Sequence, residues 1–113
     1  MATSTIPTNN KSEAITVSFL VSNLHADSGI SGRRSGNIVV VNGYLQSTTE
    51  IAANTNIAKV TSPSSFRAEG FASPVSANGD GSRLVLRTNG NIQCERRLLA
   101  NQWYSFSFTM FVN

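Results

Sequence analysis

The clearest pattern in the chain lies in its closing segment. Between Trp103 and Val112, the apolar residues Tyr104, Phe106, Phe108, Met110 and Val112 alternate with Ser105, Ser107 and Thr109. A period of two puts successive side chains on opposite faces of a pleated strand, so one face is apolar and the other hydroxylated. Burying each of those apolar side chains contributes about 1.5–3 kcal/mol before chain entropy is subtracted. The pattern therefore predicts a central strand, and loss of folding on polar substitution of Phe106 or Phe108. Trp103 has the opposite parity from Phe106, which favours exposure or an interface.

The same period marks Ile15–Ser22, where Ile15, Val17, Phe19 and Val21 share one side and Thr16 and Ser18 the other. The next stretch, Asp27-Ser28-Gly29 and Ser31-Gly32-Arg33-Arg34-Ser35-Gly36, is rich enough in Gly and Ser to read as a loop. Asn37–Gln46 reads either as a hairpin turned at Asn42-Gly43 or as one strand in which Gly43 permits a bulge or a close backbone approach. A short apolar patch at Ile57-Ala58-Lys59-Val60 ends at Ser62-Pro63. Phe66–Val75 is weaker, and Pro74 restricts it to an edge or a strand end.

The best-defined hairpin spans Arg83–Arg97. Leu84, Leu86, Ile92 and Cys94 share the core face, with Leu86 expected opposite Cys94, Thr88 opposite Ile92, and Asn89-Gly90-Asn91 as a three-residue loop. Arg83, Val85 and Arg87 then face outward with Gln93, Glu95 and Arg97. No segment carries a sustained helical stripe, and Glu50–Ala58 offers one turn at most. These elements predict an all-β fold, an antiparallel β-sandwich or small barrel of six to eight strands, over residues 14–113. The polar residues 1–13 read as an N-terminal arm.

Composition narrows the function classes. The 113 residues leave room for one domain. Charged residues make up only 13%, about half the usual share, and Ser, Thr and Asn fill the deficit. Hydroxyls and amides suit hydrogen bonding to neutral polyols better than attraction to polyanions. The net charge of +3 comes from nine cations against six anions, too sparse a field to indicate nucleic acid. Arg33-Arg34, Arg96-Arg97, Arg83 and Arg87 with Trp103 and Tyr104 would suit a single-strand-binding barrel, but the aromatics of the closing strand are expected in the core. No apolar run reaches membrane-spanning length and no secretory signal opens the chain, so synthesis in a cytoplasm without export or membrane insertion is expected.

Catalytic chemistry has few bases to draw on. His25 is the single histidine, with Asp27 two positions on, and an exposed loop histidine beside an acid accounts for the pair. Glu69 and Asp80 are the carboxylates to test for glycoside hydrolysis, and solvated loop charges account for them more simply. Asn78-Gly79-Asp80-Gly81 has part of a calcium loop, but Arg87 stands where the bidentate Glu belongs. Cys94 is alone, which excludes an internal disulfide, and one Cys with one His makes no zinc cluster. No enzyme and no cofactor are expected.

The order of motifs adds a resemblance. Ser35-Gly36-Asn37-Ile38-Val39-Val40-Val41-Asn42-Gly43 is followed by Ile51-Ala52-Ala53-Asn54-Thr55-Asn56-Ile57-Ala58-Lys59-Val60. Further on come the Leu84–Ile92 strand with its Asn89-Gly90 turn and the closing Leu99–Phe108 segment. Together they resemble the receptor-binding heads and tail-fibre tips of tailed bacteriophages, of the lactococcal-phage type, over roughly Ile15–Val112. The resemblance implies a β-sandwich or barrel head in the virion, at the tail tip or baseplate. It further implies assembly as a homotrimer with other phage tail proteins, and binding of host cell-wall or envelope saccharide without cleavage. A structural baseplate or tail module that binds another phage protein is the alternative. The family shares no single set of sugar ligands. Loop position and chemistry nominate Arg67, Glu69, Asp80 and Arg83 as saccharide-binding candidates, with Trp103 as a stacking platform.

Overall fold

The computed structural model describes residues 13–76 and 82–112. Ten strands follow in chain order: β1 (Glu13–Ala14), β2 (Thr16–Phe19), β3 (Gly29–Ser35), β4 (Ile38–Gln46), β5 (Asn56–Ser62), β6 (Gly70–Ala72), β7 (Val75–Ser76), β8 (Leu84–Leu86), β9 (Asn91–Cys94) and β10 (Trp103–Phe111). They form two antiparallel five-stranded sheets, a first in the order β1-β3-β4-β10-β7 and a second in the order β2-β5-β9-β8-β6. The architecture is all-β as expected, a sandwich rather than the alternative barrel. Among the described residues it has ten strands where six to eight are expected, because β1 and β7 are two-residue pieces, and no helix. The predicted first strand, Ile15–Ser22, shortens to β2 in the second sheet, while the N–H of Ile15 bonds the Gly32 carbonyl of the first at 3.3 Å and a separate short strand, β1, precedes it. Glu13 and Ala14 pair with β3, and after Ile15 the chain crosses to pair with β5. Residues 1–12 of the expected arm lie outside the described residues, as do 77–81 of the loop before β8.

The core is the apolar parity set of both sheets. Tyr104, Phe106, Phe108, Met110 and Val112 are buried, and Ser105, Ser107 and Thr109 between them are exposed. They pack with Val39, Val41 and Leu45 of β4 against Ile57, Val60, Leu84, Leu86, Ile92 and Cys94 of the second sheet. β10 is interior to its sheet and pairs with β4 along all nine of its residues. Ile15, Val17, Phe19 and Val21 lean onto this core from the β2 side, in keeping with their predicted common face. Pro74 sits between β6 and β7, the edge strands of the two sheets.

Asn37–Gln46 resolves as one strand. Gly43 stands between Ile30 and Phe106 in the ladder, and a Cβ there would run into the Phe106 ring. The missing side chain lets that ring pack directly on the β4 backbone, the close approach that strand glycines mark.

Three local expectations are corrected. The Gly- and Ser-rich stretch after Ser28 is a strand, β3, whose seven residues pair with β4 from Gly29↔Tyr44 to Ser35↔Ile38. Low intrinsic strand preference is overridden there by the long β4 ladder and by Ile30, which packs on the core. The β8–β9 hairpin pairs Leu84 with Cys94 and Leu86 with Ile92, two residues away from the expected register. Its loop is Thr88-Asn89-Gly90, closed by Gly90 N–H to the Arg87 carbonyl at 2.9 Å and Arg87 N–H to the Asn91 carbonyl at 2.8 Å. The loop begins one residue earlier than expected, with Gly90 at φ 93° in its left-handed position, so the pairs slip by two and the faces are preserved. Finally, Val85 faces away from the core as expected but has no exposed surface. Its ladder neighbours Phe71 and Gln93, with the Arg83 and Arg87 side chains that cross this face, cover it.

Candidate functional site

The nominated residues that are described do not converge on one surface. Glu69 and Arg83 belong to the outer side of the second sheet, where each has an internal ionic partner. Arg87 reaches Glu69 at 2.9 Å and Gln93 at 2.7 Å, and Gln93 donates to the Asn54 carbonyl at 3.1 Å. Arg83 bonds Glu95 and also lies over the Phe71 ring, 4.8 Å from its centre. The Arg83 guanidinium holds the Glu95 carboxyl below the usual carboxylate range, first through the hydrogen bond. Arg67 is exposed, and its amide donates to the Phe111 carbonyl at 2.9 Å. Trp103 starts the same strand that Phe111 ends, so the two mark sites roughly 27 Å apart at strand spacing. Asp80 lies outside the described residues.

The arginines singled out for charge are thus largely engaged. Arg97 adds a looser contact to Glu50 at 3.6 Å, and Arg34 Nε donates to the Gly36 carbonyl at 2.9 Å. Cys94 is fully buried, its thiol near the Ala52 carbonyl at 3.3 Å, and burial raises its pKa. Such a thiol is a packing group, because the thiolate is the nucleophile. Tyr104 is buried too, its hydroxyl accepting the Leu99 N–H at 2.9 Å.

Trp103 leads to a different surface. Its indole is 37% exposed on the outer face of the first sheet and meets two further rings, His25 at 5.2 Å in edge contact and Tyr44 at 6.3 Å. His25 Nδ1 accepts the Asp27 N–H at 3.0 Å, which ties the imidazole to its loop. Tyr44 lies across its ladder partner Gly29, where an added Cβ would stand 3.0 Å from the phenol oxygen. A small residue on β3 thus makes room for a flat aromatic on β4.

Beside these rings runs a polar strip. Ladder pairing sets Gly29, Tyr44 and Ser105 in one outward row and Ser31, Asn42 and Ser107 in the next. A groove of about 460 Å³ lies along Gly29, Ser31, Asn42, Tyr44 and Ser105, with Ile30, Gly43 and Phe106 beneath. Across β10 a second groove of about 390 Å³ shares Ser105 and Phe106 with it and continues past Ser107 to Val75. No charged side chain lines either groove among the described residues. The nearest outward cation of β3 is Arg33, opposite Val40 and one row beyond Asn42.

Of the residues on this surface, sequence reasoning nominated Trp103 and passed over Tyr44, Asn42, Ser31 and Ser105. The parity of Ser105 and Ser107 was the available signal. It had no partner surface while β3 read as a loop. No protein-family model matches this chain, and no curated protein or solved structure matches it significantly.

Proposed function

We propose that this chain is a phage tail receptor-binding domain, an adhesion module of the tail tip or baseplate that holds host-surface saccharide without cleaving it and works as a homotrimer. The observation that carries the reading is the exposed Tyr44–Trp103 pair beside the Ser31, Asn42, Ser105 and Ser107 strip. A pyranose ring has an apolar C–H face and a rim of hydroxyls, and such a surface offers an aromatic plane to the first and neutral donors and acceptors to the second. Neutral hydrogen bonds are each worth only about 0.5–1.5 kcal/mol net, so a single site is weak and three on one particle gain by avidity. The motif order from Ser35 to Phe108 supplies the phage setting.

One observation favours a second reading, a structural virion module that docks on another tail protein. Ile38 and Phe111, ladder partners at the far end of the same face, are 43% and 51% exposed. Apolar side chains clustered on a sheet face mark contact surfaces. In the receptor-binding reading this end serves the subunit contact.

Glycan-array and host-cell binding, together with mass in solution, separate the two. The first reading expects a trimer that captures glycan or cells, loses capture in Trp103→Ala, and releases no new reducing ends from envelope polysaccharide. Assembly without any glycan or cell binding would establish the second reading, and a monomer would weaken both.

A further inference from the structure

We infer that the groove takes an internal stretch of an uncharged glycan chain, laid across the strands from β3 over β10 toward β7, and not a chain end or an acidic sugar. The inference rests on the saccharide-binding reading and names the class of ligand for that same face.

Three observations carry it. The first is charge. A carboxylate or phosphate on the ligand would need a cation, and neither groove has one among its described lining residues. On the opposite face, Arg83 and Arg87 are already matched by Glu95 and Glu69. Desolvating an anion against hydroxyls and an amide, with the nearest outward cation of β3, Arg33, one row beyond Asn42 and outside the lining, is unfavourable, whereas a neutral hydroxyl loses little there.

The second is continuity. The two grooves meet at Ser105 and Phe106 on either side of β10, so the surface does not end in a wall where a terminal sugar would be enclosed. From β3 to β7 the path crosses three inter-strand spacings, roughly 14 Å, which is longer than one sugar ring. The third is the order of chemistry along that path. Tyr44 offers a ring on one side of Ser105, and Val75, 74% exposed and the ladder partner of Ser105, offers an apolar contact on the other. Successive sugar units of a chain can use both, and a single sugar only one.

The test uses the full chain against an array of neutral hexose, hexosamine and deoxyhexose oligomers of one to six units, beside their uronate, sialate and phosphate-substituted counterparts. Affinities for the hits are then measured by titration of Trp103 fluorescence. We expect neutral chains to bind, affinity to rise by about tenfold from one unit to three or four and then level off, and blocking either chain end to change it less than twofold. Ser105→Leu, which fills the junction, should cost the tetramer about tenfold and the monosaccharide little. Asn42→Ala gives a second variant on an exposed position. Tightest binding to acidic glycans, affinity independent of length, or loss of binding on blocking a chain end would overturn the inference and leave saccharide binding standing. Failure of every glycan, neutral and acidic, would overturn both.

Discussion

The Tyr44 and Trp103 rings stand 6.3 Å apart and tilted by 45°, although the two residues are not ladder partners. Trp103 faces Gln46 and Tyr44 faces Ser105, so the contact is diagonal across β4 and β10. Diagonal neighbours lie at the reach of aromatic side chains, and this pair joins two strands distant in sequence into one platform.

Because both rings are substantially exposed, removing either should separate binding from folding. Tyr44→Ala and Trp103→Ala are each expected to change stability by only about 1 kcal/mol while weakening glycan capture about tenfold. Urea unfolding beside glycan titration checks this. A large loss of stability in either variant would place the ring in the fold and not in a platform.

Gly43 and Phe106 make the opposite kind of contact. Gly43→Ala drives a methyl into the Phe106 ring, an overpacking expected to cost about 1–3 kcal/mol. Phe106→Leu in the same chain should return part of that loss, because the smaller side chain vacates the space. Denaturant midpoints of the two single variants and the double variant measure the coupling. Strict additivity would contradict it.

At the β8–β9 turn, Gly90 combines φ 93° with a position where a Cβ would meet the Val60 carbonyl, which itself belongs to a residue whose N–H bonds the Gly90 carbonyl at 2.8 Å. Gly90→Ala is expected to destabilise by about 1–2 kcal/mol or more. Asn89→Ala, one residue away in the same exposed loop, should cost less, since what it removes is the side-chain acceptor of the Asn91 N–H at 3.0 Å. Equal costs in thermal unfolding would mean the left-handed position is not what shapes the turn.

The Arg83–Glu95 pair predicts a pH dependence of known sign. The Glu95 carboxyl is held below its unfolded value, so its contribution is present above the ordinary carboxylate range and is lost as pH falls through the folded value. Glu95→Gln should therefore lower the urea midpoint most near about pH 7, with the deficit shrinking toward about pH 3 and in high salt. Parallel pH profiles for the two proteins would show that the pair adds nothing to stability.

Much of the sandwich was legible because burial imposes a period of two. The β10 alternation and the Ile15–Val21 face follow from it, and the edge position of Pro74 follows from its missing N–H donor. β3 was not legible, since Gly29, Ser31, Gly32 and Ser35 carry no alternation of their own and owe their strand conformation to pairing with β4. The hairpin register slipped because Asn89, Gly90 and Asn91 all tolerate a left-handed backbone, and only the packed chain selects Gly90. The nominated Glu69 and Arg83 came to one sheet face, but with Arg87 and Glu95 as partners.

What the sequence alone determined is which side of each strong strand is dry. Transferring Phe106, Phe108 and their like out of water dominates local energetics and needs no knowledge of neighbours. What only the tertiary structure decided is which outward residues meet. Tyr44, Trp103, Asn42 and Ser105 share a surface because β4 and β10 are hydrogen-bonded neighbours. That adjacency is set by long-range strand pairing, to which the local pattern of apolar and polar residues is blind.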